Sequence, residues 1–165
     1  MGLLRMMGEY GPAAGSVLAG RGSAGPAQPP LERRAALDIG SGCTKLLVAD
    51  VDTATNRCVH VVLTREVPVL YGMDIRRSKD GRLSDAVQAE GLAQLGRLVR
   101  EAEALGPKSL AAVATEAFRR APNGGDFVSR VKQDVGLDIR IIDQGLEARL
   151  GLRTAVAVSS AARDA

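Results

Sequence analysis

The apolar run Ala35-Ala36-Leu37 breaks at Asp38-Ile39-Gly40-Ser41-Gly42-Cys43-Thr44-Lys45 and resumes at Leu46-Leu47-Val48-Ala49, and no other feature constrains this chain as much. Two β-compatible stretches joined by so short a glycine-bearing segment must fold back on each other, so the spacing predicts strand, tight turn and antiparallel strand. Two common glycine motifs are thereby excluded. A Walker loop opens a helix with Gly-Lys-Ser/Thr, whereas here Thr44 precedes Lys45 and a strand follows. A dinucleotide fingerprint requires a third glycine where Lys45 stands, and then a helix. A strand-turn-strand loop can still hold an anion: Gly40 and Gly42 let backbone approach closely, Ser41 and Thr44 offer hydroxyls, and Lys45 adds charge. Asp38 would repel a bare phosphate, so its chemistry fits a divalent ion or an oriented water. On this loop alone, a plain hairpin turn and a phosphate cradle both remain open.

Downstream, short apolar runs alternate with turns. Ala35 to Leu37, Leu46 to Val51 and Cys58 to Leu63 read as three strands of a meander, with Thr53-Ala54-Thr55-Asn56 as a hairpin turn and Val67 to Tyr71 extending the third strand past Pro68. Asp74 to Arg82 reads as a basic loop carrying Arg76, Arg77, Lys79 and Arg82. Ser84 is a good N-cap, and Leu92, Leu95, Leu98, Val99, Ala102 and Leu105 recur at helical spacing until Gly106-Pro107. Ser109 to Ala114 is a buried strand feeding Thr115 to Arg120; Asp126 caps a helix through Val135, closed by Gly136. Leu137 to Ile142 is a further strand, and Gln144 to Val158 a helix with Glu147 in its first turn. The expected order is βββαβαβα.

A chain of 165 residues, 45% hydrophobic, builds one core, so one domain over 35–158 is expected between a Gly/Ala/Pro-rich leader at 1–34 and a tail at 159–165. The leader lacks the continuous apolar stretch of a secretory signal; its arginines and few acids leave an organellar transit peptide as the alternative to a cytoplasmic location. No segment has the apolar length to span a bilayer, which argues against a membrane partner. With aromatics at 2% there is no platform for stacking bases, so nucleic acid is not an expected partner, and the charge of +3 carries little weight. Cys43 and Cys58 lack disulfide or zinc spacing and fit a reducing compartment; Cys43 reads as a small space-filling loop residue, since no nearby His could activate it. His60, in a β-like run, reads as a surface or satisfied strand residue.

Several segments in order resemble the N-terminal half of the exopolyphosphatase / guanosine pentaphosphate phosphohydrolase (Ppx/GppA) family. Asp38-Ile39-Gly40-Ser41 resembles its first phosphate motif, Gly81-Arg82-Leu83-Ser84 its Gly-x-Leu-Ser helix start, Val113 to Arg119 its Thr-x-x-x-Arg segment, and Glu147-Ala148-Arg149-Leu150 its Glu-Ala-Arg-Leu signature. The resemblance implies an α/β, actin-like ATPase (ribonuclease-H-type) domain with a mixed five-stranded sheet and helices on both faces. It implies hydrolysis of phosphoanhydride bonds in inorganic polyphosphate or guanosine polyphosphate, with Mg2+ or another divalent cation and a possible homodimer in full-length members. By the same resemblance Glu147 is the general base, Asp38 lies near metal or water, Gly40, Ser41, Gly42, Cys43, Thr44 and Lys45 surround phosphate, and Arg119 clamps it. A carboxylate near a helix start and an arginine fork suit those roles chemically, and Arg76, Arg77, Lys79 and Arg82 would extend a track for a polyanion.

The chain departs from the family at three places. Leu146 stands where the first of two consecutive glutamates is usual, and Asp143-Gln144 where Ser-Gly is usual. The family's second motif, Asp-x-Gly-Gly-Gly-Ser, is expected soon after the last helix and is not found up to Ala165. Two alternatives follow: a domain that binds polyphosphate or nucleotide without turnover, and half of an actin-like sugar or acetate kinase, whose first loops look similar.

Overall fold

The computed structural model describes residues 30–150 and residue 152. Strands β1 (Leu31–Ile39), β2 (Cys43–Asp52) and β3 (Arg57–Pro68) form an antiparallel meander. Helices α1 (Tyr71–Arg77) and α2 (Asp85–Glu103) lead to β4 (Ser109–Ala114), and α3 (Glu116–Arg120) and α4 (Gly124–Val135) to β5 (Ile139–Ile141). A last helix, α5, runs over 144–150. The sheet order is β3-β2-β1-β4-β5, with β4 parallel to both β1 and β5. This is the mixed five-stranded, actin-like layout that the resemblance implies.

Side-chain alternation along β1 decides the layers. Ala35, Leu37 and Ile39 face one way and join Leu46, Val48, Ala112 and Ala114 beneath Leu95, Leu98, Phe127 and Val131, so α2 and α4 cover that face. Tyr71, Phe118 and Phe127 form an aromatic cluster there, with the Tyr71 and Phe118 ring centroids 4.8 Å apart, which ties α1 to α3. The opposite face carries Ala36, Ala49 and Val51 and, further along, Val113 and Ile142 beneath Leu146 and Leu150 of α5. Helices therefore lie on both faces.

Several expected boundaries move. The leader was expected to run to Arg34, yet β1 opens at Leu31: Arg33 pairs with Asp50 at 2.8 Å, and Arg34 with Glu32 at 2.8 Å, so charged residues are built into the sheet. The rest of the leader, the tail at 159–165 and the helix beyond residue 152 lie outside the described residues. The expected basic loop at 74–82 begins inside α1, and the third strand stops at Pro68 rather than reaching Tyr71. Asp74 explains part of this. Its carboxylate accepts from the Ser84 amide and hydroxyl at 2.8 and 2.7 Å, holding α1 against the start of α2, where Ser84 caps as expected by accepting from the Val87 amide. The segment after β4 forms the short helix α3. Helix α4 opens at Gly124, so Asp126 sits in its first turn instead of capping it; Asn123 is turned inward, exchanging two 2.9 Å hydrogen bonds with the Leu83 backbone. Gly136 closes α4 at φ 76, as its sequence position requires, and β5 is shorter than Leu137 to Ile142. The observed order is βββααβααβα.

Candidate active site

The turn between β1 and β2 is tight. The Gly40 amide donates to the Cys43 carbonyl at 2.9 Å, and a Cβ on Gly40 would lie 3.1 Å from that oxygen. The next two carbonyls are turned back into the protein: Ser41 accepts from the Gly72 amide at 2.7 Å and Gly42 from the Val69 amide at 3.2 Å. The amides of Ser41 and Gly42 have no partner among the described residues, so both donors remain open to a ligand.

This turn forms one wall of a groove of about 630 Å³. Asp38 and Lys45 face each other across the β1–β2 pair, and Thr115, Glu116, Ile142, Glu147 and Leu150 form the far wall. Asp38 and Glu147, far apart in sequence, thus share one cavity. The groove sits at the carboxyl ends of the parallel strands β1 and β4, where α/β sheets generally bind ligands. Solvent reaches Asp38, but the concave wall strips much of its hydration, and this raises its pKa; the Glu147 charge raises it further and Lys45 offsets part of the effect. The Cys43 thiol lines the same groove. Burial and the nearby Glu66 carboxylate push its pKa up, which disfavours the thiolate and fits the space-filling reading.

Glu147 is held at both ends. Its amide donates to the Asp143 carbonyl at 3.0 Å, while the Asp143 carboxylate accepts from the Leu146 amide at 2.8 Å, a cap that also lowers the Asp143 pKa. Glu147 Oε2 accepts from Arg119 at 2.9 Å. The other terminal nitrogen of Arg119 donates to the Ile142 carbonyl. Arg119 itself lines a neighbouring pocket of about 390 Å³ with Glu116, Gln144, Glu147 and Ala148. Glu116 and Glu147 border both cavities and form the ridge between them.

Two expectations are corrected. Thr44 does not reach the groove: it follows the parity of Leu46 and Val48, and its side chain is fully buried with no partner for its hydroxyl among the described residues. None of Arg76, Arg77, Lys79 and Arg82 lines either cavity, because Tyr71 packs α1 onto the helix layer behind the sheet. Gly40, Ser41, Gly42, Cys43 and Lys45 do line the groove. Thr115 and Glu116 were not singled out as site residues; their place just beyond the end of a strand parallel to β1 is the signal that would have found them. His60 is an exposed residue on β3.

The oxygen donors Asp38 and Glu147 suit a hard divalent cation such as Mg2+, which takes one or two carboxylates together with substrate phosphates and water. Among the described residues no three His, Cys, Asp or Glu side chains gather as a self-sufficient metal site. None of the described helices is long and apolar enough to cross a membrane.

Residues 48–164 match the model of the Ppx/GppA phosphatase family. A family member from Aquifex aeolicus superposes with a TM-score of 0.61 at 31% identity, over 68% of this chain and 35% of that one. An exopolyphosphatase from Cytophaga hutchinsonii ATCC 33406 superposes with a TM-score of 0.61 over 69% of this chain and 35% of that one; at 22% identity it bears on the fold alone. The chain thus spans about 35% of the length of these two proteins. A match running from the second strand to Asp164, on a fold shared with the Aquifex protein, shows that this chain belongs to the Ppx/GppA phosphatase family.

Proposed function

We infer that the chain carries one wall of a phosphohydrolase site for inorganic polyphosphate or a guanosine polyphosphate. The observation that carries this reading is the shared groove of Asp38, the Gly40–Gly42 turn and Glu147. The unpartnered amides of Ser41 and Gly42, with Lys45 beside them, would receive a terminal phosphate. Arg119 would meet the next phosphate along, from the adjoining pocket. Glu147 takes a proton from water as the water oxygen bonds to the terminal phosphorus; the anhydride P–O bond breaks, and its electron pair leaves on the shortened chain. Asp38 would orient that water or hold a divalent ion, whose chemistry when bound is to neutralise charge on phosphate oxygens.

The test is phosphate release from long-chain polyphosphate by the chain and by Glu147→Gln. Hydrolysis by the parent with a loss of at least about a hundredfold in the variant is expected for a general base; equal rates would remove Glu147 from the role.

One observation favours a second reading, binding without turnover. Leu146, where the family pattern has a glutamate, packs into the apolar cluster of Val113, Ile142 and Leu150. The remaining carboxylate, Glu147, is tied to Arg119. Calorimetric binding of polyphosphate with no phosphate release would establish this version.

A further inference from the structure

Arg119 and Glu147, one suited to bind phosphate and the other to accept a proton, are bonded to each other. The pair lies where ligand must pass: Arg119 lines the smaller pocket, and Glu147 borders both that pocket and the groove. Arg119 keeps its place independently of Glu147, because its other terminal nitrogen is anchored on the Ile142 carbonyl. Glu147 Oε1, in contrast, has no hydrogen-bond partner among the described residues. The pair is only partly covered, with side-chain exposures of 25% for Arg119 and 40% for Glu147, so solvent-borne anions can reach it.

A carboxylate and a phosphate compete for the same face of a guanidinium, since both present paired oxygens to its planar fork. We propose that Glu147 is a built-in stand-in for phosphate on Arg119, and that an incoming phosphate group displaces it and so releases the carboxylate to the groove. The exchange rests on the phosphate-binding reading above. It breaks no covalent bond: one charge-assisted hydrogen bond replaces another, and the anchored guanidinium stays put while the glutamate moves. Its consequence is that the carboxylate, already bordering the groove, sheds its cationic partner and becomes a stronger acceptor for the water proton when a phosphate occupies the adjoining pocket. The pair is thereby a device that couples loading to activation.

Affinity measurements on the whole chain test this without requiring turnover. Inorganic tripolyphosphate is titrated calorimetrically at fixed ionic strength into the parent, Glu147→Gln, Arg119→Gln, the double variant and Glu116→Gln, each checked for native circular dichroism. Removing the competing carboxylate is expected to tighten binding roughly five- to tenfold, the scale of a half-exposed charge-assisted contact. Glu147→Ala should act in the same direction, which keeps the test open should one variant fold poorly. The double variant should bind no more tightly than Arg119→Gln. Glu116 borders the same cavities but is paired with Arg120 at 3.1 Å, so Glu116→Gln should gain less than about twofold from the general loss of negative charge. Parent binding with no gain in Glu147→Gln, an equal gain in Glu116→Gln, or a gain that survives loss of Arg119 would each overturn the exchange and leave the phosphate reading standing. Absence of binding in the parent and in every variant would overturn both.

Discussion

Thr44 carries a hydroxyl into the core under the helix layer, where no described residue hydrogen-bonds it. An unsatisfied buried hydroxyl costs about 1–3 kcal/mol, and valine has nearly the same shape without it. Thr44→Val should therefore raise the unfolding free energy by about 1 kcal/mol in urea denaturation and leave tripolyphosphate affinity unchanged; weaker binding would return the hydroxyl to the ligand. Asp38 weighs on stability in the other direction. Its raised pKa means that the folded chain holds the proton more tightly than the unfolded chain, so between the ordinary aspartate pKa and the raised value stability falls as pH rises. Ionised Asp38 then opposes folding at neutral pH, so Asp38→Asn should lift the thermal midpoint at pH 7 by about 2 °C, solvent screening keeping the effect small. It should also flatten the pH dependence of the midpoint in that window, and an unchanged profile would show that Asp38 is not desolvated. Both residues were visible as chemistry in the sequence. What separates them is strand parity, which sends Asp38 and Lys45 to the groove and Thr44 to the core. The alternation of Thr44 with Leu46 and Val48 was already there to be read.

At the scale of elements, strands and long helices were legible because their periodicity depends on many residues. The apolar run Ser109 to Ala114 coincides with β4, and the cap at Ser84 marks the start of α2. The short helices α1 and α3 were not read, for a physical reason: neither is long enough to display an apolar period, and each forms because tertiary contacts pay its nucleation. Tyr71 and Phe118, the buried anchors of these two helices, lie against each other, which no local pattern announces. Helix α1 also shapes the site, through Gly72. A Cβ there would lie 2.9 Å from Ser41 Cβ and 3.3 Å from the Ser41 carbonyl that accepts the Gly72 amide. Alanine would add about 1 kcal/mol of helix propensity, but overpacking costs about 1–3 kcal/mol, and the atom in the way is the Cβ of a tightly held turn. Gly72→Ala is therefore expected to lower stability by about 1 kcal/mol and to weaken tripolyphosphate binding severalfold by shifting the turn. Lost stability with unaltered affinity would mean that the turn does not hold the anion.

At the scale of the whole fold, the described residues secure the two faces of the sheet very differently. One is covered by α2 and α4 over an extensive apolar core centred on β1, the strand in the middle of the sheet. On the other, the described part of α5 rests on a small cluster of Val113, Ile142, Leu146 and Leu150, with Arg119 supplying polar ties to Ile142 and Glu147. Units with few buried contacts open locally at lower free energy than the core they sit on. The helix bearing the proposed base should accordingly exchange its amide hydrogens well before β1 does. Arg119→Gln removes the ion pair and the carbonyl anchor together, so exchange at the amides of Glu147 to Leu150 should quicken about tenfold, the effect of losing one to two charge-assisted hydrogen bonds. Amides of Leu37 and Ile39, in the central strand, should keep their rates. Equal acceleration at both places would mean that α5 unfolds only with the entire domain, and the carboxylate could then not move independently of the sheet. Selective acceleration would give the mobile wall that exchange of Glu147 for phosphate on Arg119 requires, built against a rigid wall formed by β1, β2 and their glycine turn.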